Sequence, residues 1–459
     1  MTKIPRRTLS RILSQARIAT AHPDEQPLEG QHRSIFETDG DKIGFTDGFR
    51  ALADKTQVHD RAENAGNHRN RLTHSIEVSR VGRSLGVALG NRMINYYGLH
   101  SPTSGEAFWR ADPIDIGHIV SAACLAHDIG NPPLGHEGED AISEFFLTHP
   151  TGIRAAHACG PDVGPELQRH EGNAQGFRML TRSLGWRQKG GLNLTAATLG
   201  AFGKYPFPLV PRKRKYGVHR ADLETLSFVA DRTGMTRNDD GWCRHPLAWA
   251  MEAADDICYL TVDLEDAAVM GLIETRDLVA LYKPIIGDDT IRSGYRMNDT
   301  SRMIQYLRSR MIKTLIDSCV ETYVDLAEEI DNDHVPATDY GSGLLANTRH
   351  AEAMHDIRTF SRNRIYKSPT VTHTREALIR AMTDKLTRLC DEFADVLAKG
   401  DPVAPADIRR THPELSELPK SSHHTQIPQA PDKAYPWLID QITLMSDAQI
   451  IAQTARAVN

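Results

Sequence analysis

At 459 residues, with 40% apolar and 25% charged residues, the chain has ordinary globular composition and enough length for one large helical domain or two to three average ones. Its net charge of −6 gives no global attraction for polyanions, so a nucleic-acid partner would have to be drawn by a local patch. No apolar run reaches the ~18 residues of a membrane span, Met1 to Arg17 lacks the apolar core of a signal peptide, and the six cysteines show no Cys-x-x-Cys spacing, which predicts a reducing, cytoplasmic setting without a disulfide framework or structural zinc site.

Aliphatic residues recur at three- and four-residue spacing along most of the chain, which predicts an all-α fold. A polar N-terminal arm over residues 1–45 comes first. Ile76, Val78, Val81, Leu85 and Leu89 then mark one face of a helix that follows His74. Residues 114–126 are apolar on all sides, as expected of a buried helix, and run into His127-Asp128. A long helix over 246–270 passes through Asp255, and Met303, Ile304, Leu307, Met311, Leu315, Ile316 and Cys319 mark another. Helices over 377–397 and 447–458 close the chain. Polar, Gly/Pro-rich or charged stretches at 21–44, 98–113, 148–168, 203–220, 331–345 and 399–436 read as loops. Residues 46–275 are expected to form the core that carries the chemistry, with 276–459 a helical region packed on it and contributing to the substrate site or to assembly. Cys124 and Cys258, inside apolar helical runs, read as buried thiols. Arg212-Lys213-Arg214-Lys215 is the strongest basic cluster, either a solvated loop or a patch for phosphates or nucleic acid.

Three His-Asp doublets occur, at 59–60, 127–128 and 355–356, where a chain with 21 His would hold about one by chance. Only the second has company: Arg71-Leu72-Thr73-His74-Ser75 upstream, Ile129-Gly130-Asn131-Pro132-Pro133-Leu134-Gly135-His136 directly after it, and Glu252-Ala253-Ala254-Asp255-Asp256 downstream. The other two read as structural or surface residues. A divalent ion held by neutral imidazoles and carboxylates keeps positions open for water and phosphate oxygens and neutralises charge building on phosphorus. His74, His127, Asp128 and Asp255, presented by three helices, would supply such a mixed N/O site for Mn2+, Mg2+, Co2+, Ni2+ or Fe2+. Each of them alone reads more simply as a hydrogen-bonded side chain; the set points to a metal.

The order His, His-Asp, distant Asp resembles the HD-type metallophosphohydrolases. Several segments resemble one branch, the deoxyguanosine-triphosphate triphosphohydrolases: Phe49-Arg50-Ala51-Leu52 with Lys55-Thr56-Gln57-Val58; Asn70 to Ser75; His127 to His136 with Gly138-Glu139; Glu171-Gly172-Asn173-Ala174-Gln175; and Glu252 to Ile257 with Tyr259. Weaker echoes run to Leu444-Met445-Ser446-Asp447, so the resemblance spans roughly residues 45–450. The Asn-Pro-Pro after the doublet selects this branch. Ala51 stands where the family usually has a basic residue, and Leu444 where it usually has glycine; these departures bear on base specificity and assembly.

The resemblance implies an HD-domain helical bundle and metal-dependent hydrolysis of deoxynucleoside triphosphates, dGTP first among them, to deoxynucleoside and inorganic triphosphate. The metal would sit on His74, His127, Asp128 and Asp255. His136 is the candidate general acid for the 5′-oxygen, with Glu139 one helical turn on, and His170-Glu171 is a second candidate proton-handling pair. Asp255, Tyr259 and Asp263 recur every four residues along one helical face, so Tyr259 could meet the sugar and Asp263 its 3′-hydroxyl. Arg71, one turn before His74, suits a phosphate. Gln57 and Val58 resemble the family's sugar-binding pair, and Lys204, Tyr205, Lys215 and Tyr216 are candidates for the β- and γ-phosphates. The resemblance also implies a homo-oligomer, a hexamer in several relatives, with a dNTP activator and single-stranded DNA as candidate regulators. Rival readings keep the site and change the substrate (an alarmone, a cyclic nucleotide, a nucleoside monophosphate) or make the chain a nucleotide- or single-strand-binding sensor.

Overall fold

A computed structural model of the chain describes residues 11–19, 33–55, 69–97, 112–184, 190–269, 271–366, 369–399, 428 and 430–451. Among these residues the fold is all-α. Extended segments meet only as isolated bridges, Arg17 with Thr195, Arg237 with Trp242 and Thr338 with Gly341. No described helix is long and apolar enough to cross a membrane.

The helices that place the site are numbered in chain order. Helix α1 (Arg71–Tyr97) lies along α2 (Pro113–Ala126). Asp112 starts α2 by accepting the Ile114 N–H at 2.8 Å, with Pro113 in the first turn, where its missing N–H costs nothing. The two helices come close enough that a Cβ on Gly86 would stand 2.9 Å from Gly117 Cα. Helix α3 (His136–Thr148) and the short α4 (Gly172–Arg178) follow. Helix α5 (Pro246–Val269) and helix α6 (Thr300–Asp325) both pack on α1. Helix α7 (Pro369–Lys399) packs on α3, and helix α8 (Pro431–Thr443) lies over the short helices that follow α3.

Two large apolar cores result. The first gathers α1, α2, α5 and α6, together with Ile12 and Leu13 of the N-terminal arm. The second joins Leu134, α3 and Cys159 to the inward faces of α7 and α8, through Leu386, Phe393, Trp437 and Leu438. Arg17 ties the arm down: its guanidinium donates to Asp39 Oδ1 at 2.8 Å, while Thr195 donates to the other oxygen through its N–H and hydroxyl at 2.9 and 2.7 Å.

The expected helices are present, with exceptions that have local causes. Ile76 is exposed, whereas Val78, Val81, Leu85 and Leu89 are buried on the opposite side of α1. The segments expected as loops at 21–44, 148–168 and 399–436 are partly helical, over Ile35–Gly44, Pro150–Ala158, Gly160–Leu167 and from Pro431. Pro150, Pro161 and Pro431 each sit in a first helical turn and so mark helix starts rather than loops. Gly160, at φ 77, breaks one helix from the next. The closing helix is described over Asp447–Ile451; residues 452–458 of the expected span lie outside the described residues.

Candidate metal centre and proton-handling groups

His74, on the first turns of α1, is buried. His127 caps the C-terminus of α2, and its ring Nδ1 donates to the Cys124 carbonyl at 2.7 Å, which leaves Nε2 as the lone-pair nitrogen. Asp255 lies midway along α5. Its Oδ1 stands 3.1 Å from His74 Nε2 and 3.5 Å from His127 Nε2. One ligand atom from each of the three residues falls within 4.8 Å of the others. Adjacent ligands of one octahedral ion at ~2.1 Å stand about 3 Å apart, so these separations fit a single divalent cation. His74 Nε2 and Asp255 Oδ1 are within hydrogen-bond distance, and a divalent cation would take the place of the proton between them; neutral imidazole and carboxylate are a donor set that suits such an ion. No cysteine joins the group, and burial pushes the thiols of Cys124 and Cys258 well above their ordinary range.

Asp128, the fourth expected ligand, stands at the edge of this trio. Its Oδ1 is 3.6 Å from His127 Nε2 and also accepts from the Asn131 side chain, while Oδ2 accepts from Arg71 Nη1 at 3.1 Å. Burial opposes ionisation of both aspartates, but it is outweighed. His127 and Arg71 hold Asp128 below the ordinary carboxylate range, and His127 and His74 do so for Asp255. The Asp255 side chain keeps 33% of its surface open, which makes it the approach to the cluster.

The turn after the doublet packs against α4. A Cβ on Gly130 would lie 2.0 Å from the Gly172 carbonyl oxygen, so only glycine fits that contact. His136 opens α3 and is exposed. Glu139, one turn on, is buried: Oε1 accepts from the Gly172 N–H at 3.1 Å and Oε2 lies 3.3 Å from Lys215 Nζ. The same ammonium stands 2.9 Å from Glu171 Oε2. Burial, with Glu171 adding to it, pushes the Glu139 carboxyl up despite Lys215. His170 is buried, and burial with the charge of His219 and Lys215 lowers its pKa to about 3. This shift favours the neutral imidazole.

The structure thus brings His74, His127 and Asp255 together with Asp128 beside them, and Glu139 together with Glu171. It places other expected contacts differently. Arg71 gives its fork to Asp128 rather than presenting it to solvent, and Lys215 bridges the two glutamates. Lys204 lies 3.0 Å from Glu252, keeps a quarter of its side chain open, and has its pKa raised because Glu252 outweighs burial. Tyr205 lies beside it under the Lys204 ammonium, 5.7 Å from centroid to Nζ, and Tyr216 is fully buried. Tyr259 is half-buried on the same helix as Asp255, and Asp263 is buried close enough to His74 to favour its charge. Gln57, Val58 and the 59–60 doublet lie outside the described residues. In the basic cluster, Arg212 and Lys213 share one carboxylate, Asp240, which offsets one of the two positive charges. Sequence reasoning gave no role to Lys55, Asn131, Glu252 or Arg244, although three of these stand inside the motifs already quoted.

No family model matches the chain. It is 35% identical over 403 residues to a deoxyguanosinetriphosphate triphosphohydrolase-like protein of Synechocystis sp., covering 84% of this chain and 86% of that relative. It is 41% identical over 308 residues to a protein of the same description from Pseudomonas aeruginosa, covering 64% of this chain and 66% of the relative. With the deoxyguanosinetriphosphate triphosphohydrolase of Salmonella arizonae it shares 29% identity over 405 residues, 76% of this chain and 74% of the relative.

Proposed function

This chain belongs to the deoxyguanosinetriphosphate triphosphohydrolase family and is a triphosphohydrolase, and we propose that it cleaves deoxynucleoside triphosphates, dGTP foremost, into deoxynucleoside and inorganic triphosphate with the help of a divalent metal ion. The observation that carries this reading is the convergence of His74, His127 and Asp255 on one point. A divalent ion held there, with Asp128 alongside, supplies charge neutralisation at the α-phosphate and a more acidic bound water.

The chain's own residues do the rest. Hydrolysis adds water to the α-phosphorus and expels the 5′-oxygen, a poor leaving group that needs a proton. His136, exposed at the head of α3, gives that proton. Glu139, with its carboxyl raised by burial, takes up the proton balance, and Lys215 keeps Glu139 and Glu171 together without losing either to repulsion. Arg71 holds Asp128 ionised and in place. Lys204, beside the open side of Asp255, is the cation that meets the triphosphate tail, exchanging Glu252 for phosphate. Tyr259 and Asp263, one and two turns along α5, face the sugar, with Gln57 and Val58 as further sugar contacts.

The test is product analysis. The purified protein is incubated with Mn2+, Mg2+ or Co2+ and with each dNTP singly and mixed, alongside GTP and an alarmone. Intact triphosphate plus deoxynucleoside is the expected outcome. Pyrophosphate or monophosphate products reject the reaction, and turnover that survives removal of metal rejects the metal. Faster turnover in mixed dNTPs marks a nucleotide activator, added single-stranded DNA is scored in the same assay, and sedimentation reports the homo-oligomer.

A further inference from the structure

Lys55 is almost fully buried, at 1% exposure, yet it is outside every role described so far. Its ammonium donates to the Asn131 carbonyl at 2.7 Å and to the Thr443 carbonyl at 2.5 Å. Its own carbonyl accepts the first N–H of α1, from Arg71, at 3.0 Å. One residue therefore joins three places far apart in sequence: the helix that carries His74, the turn after the His-Asp doublet, and the end of α8. A second tie lies beside it. Asp447, also buried, accepts the Leu134 N–H at 2.9 Å through Oδ1. Leu134 stands at φ 70 and Gly135 at φ 58. A left-handed leucine is strained and persists only where its surroundings impose it. Burial, with Arg71 adding to it, lowers the Lys55 pKa to about 7, and the Asp447 carboxylate partly offsets this while also favouring the charge of Arg71.

These contacts occupy the seam between the two apolar cores. The metal-type ligands sit on the first core, whereas α3, with His136 and Glu139, belongs to the second. The turn Asn131–Gly135 is the short covalent bridge between them. Its backbone is held at Asn131 by Lys55 and at Leu134 by Asp447.

We propose that Lys55 and Asp447 are positioning residues: they clamp the turn Asn131–Gly135 through its backbone and so set His136 against the His74–His127–Asp255 group. The segment around residues 443–447 is in this way a working part of the active site without touching substrate. The kinetic consequence rests on the function proposed above; the clamp itself does not.

Hydrogen exchange read by mass spectrometry tests the clamp without substrate. In Asp447→Ala, the peptide covering residues 129–137 is expected to exchange about tenfold faster or more, the scale of a lost charge-assisted hydrogen bond, while a peptide over 79–90 inside α1 is unchanged. Unchanged exchange at 129–137, or an equal rise in both peptides, overturns the proposal. Should Asp447→Ala fail to fold, Asp447→Asn keeps the shape with a weaker, neutral acceptor; a smaller rise confined to 129–137 is expected, and no rise overturns it. In the kinetic arm, Asp447→Ala is expected to lose about tenfold or more in kcat with KM and bound metal nearly unchanged. An unaltered kcat, or metal lost in step with kcat, overturns the positioning role. If the unmutated protein releases no triphosphate, the function fails on its own, and the exchange result still decides the clamp.

Discussion

Asp440 of α8 offers the sharpest test of how the second core is fastened to the catalytic half. Its carboxylate is 1% exposed and accepts from Gln175 Nε2 at 2.7 Å and from Arg178 Nε and Nη2 at 2.8 and 3.0 Å. Both partners belong to α4, the helix against which the turn after the doublet packs. Asp440→Ala removes few atoms, and the packing term alone is worth about 1 kcal/mol. It also strands the Arg178 guanidinium, which burial disfavours and Asp440 sustains. Breaking one partner of a buried pair costs about 3–5 kcal/mol, so the stranded charge decides the outcome. The double variant Arg178→Met/Asp440→Leu leaves no charge behind and is expected to recover most of that loss. Urea denaturation followed by circular dichroism measures all three proteins. A single variant within about 1 kcal/mol of the parent, or a double variant no better than the single, refutes the argument.

His127→Ala is expected to lose bound metal and turnover together, because it removes a converging nitrogen. His136→Ala is expected to keep its metal while turnover falls about 100-fold or more, the scale of a missing general acid; atomic-emission metal analysis beside initial rates separates the two, and retained turnover in the first or lost metal in the second contradicts the assignments. His245 gives a pH prediction. Buried between the Ile12 carbonyl, which accepts from its Nε2 at 2.9 Å, and the Leu247 N–H at 3.2 Å, it has its pKa lowered by burial from 6.5 to about 4. The unfolded chain then binds a proton that the folded one refuses, so its stabilising contribution is full above pH 6.5 and is lost as pH falls towards 4, by up to ~3 kcal/mol. His245→Gln is expected to flatten that part of a stability–pH curve measured by urea titration; an unchanged slope refutes it.

Helix periodicity made the first core legible in the sequence. Val78, Val81, Leu85 and Leu89 had to share a face, and the wholly apolar 114–126 run had to be buried on all sides. The convergence of His74, His127 and Asp255 was legible because each stands in a recognisable local signature. The second core was not, since its helices begin at prolines that also mark turns, and Pro150, Pro161 and Pro431 look the same in either role until the following residues are seen to pack. The pairing of charged residues was hidden as well. Arg71, Lys204 and Lys215 each look like phosphate ligands by type, but which carboxylate each meets depends on contacts between distant elements, 57 positions apart in the chain for Arg71 and Asp128 and 76 for Lys215 and Glu139.

The division of labour between the cores has a mechanical consequence. The metal-type ligands lie on α1, α2 and α5, whereas His136, the proposed proton donor, lies on α3 and is carried by the second core. The relative placement of the two is then fixed by the seam: Lys55 and Asp447 at the turn, Arg71 on Asp128, Gly130 against Gly172, and Arg178 on Asp440. Four of these five ties are charged or charge-assisted and nearly dry, so each is strong while intact and costly when one partner is lost. A change in packing near α8 therefore reaches His136 through the turn before it reaches the His74–His127–Asp255 group, which lies on the other core. Variants in α8 are expected to divide turnover from metal binding, whereas variants in α2 or α5 are expected to lose both together.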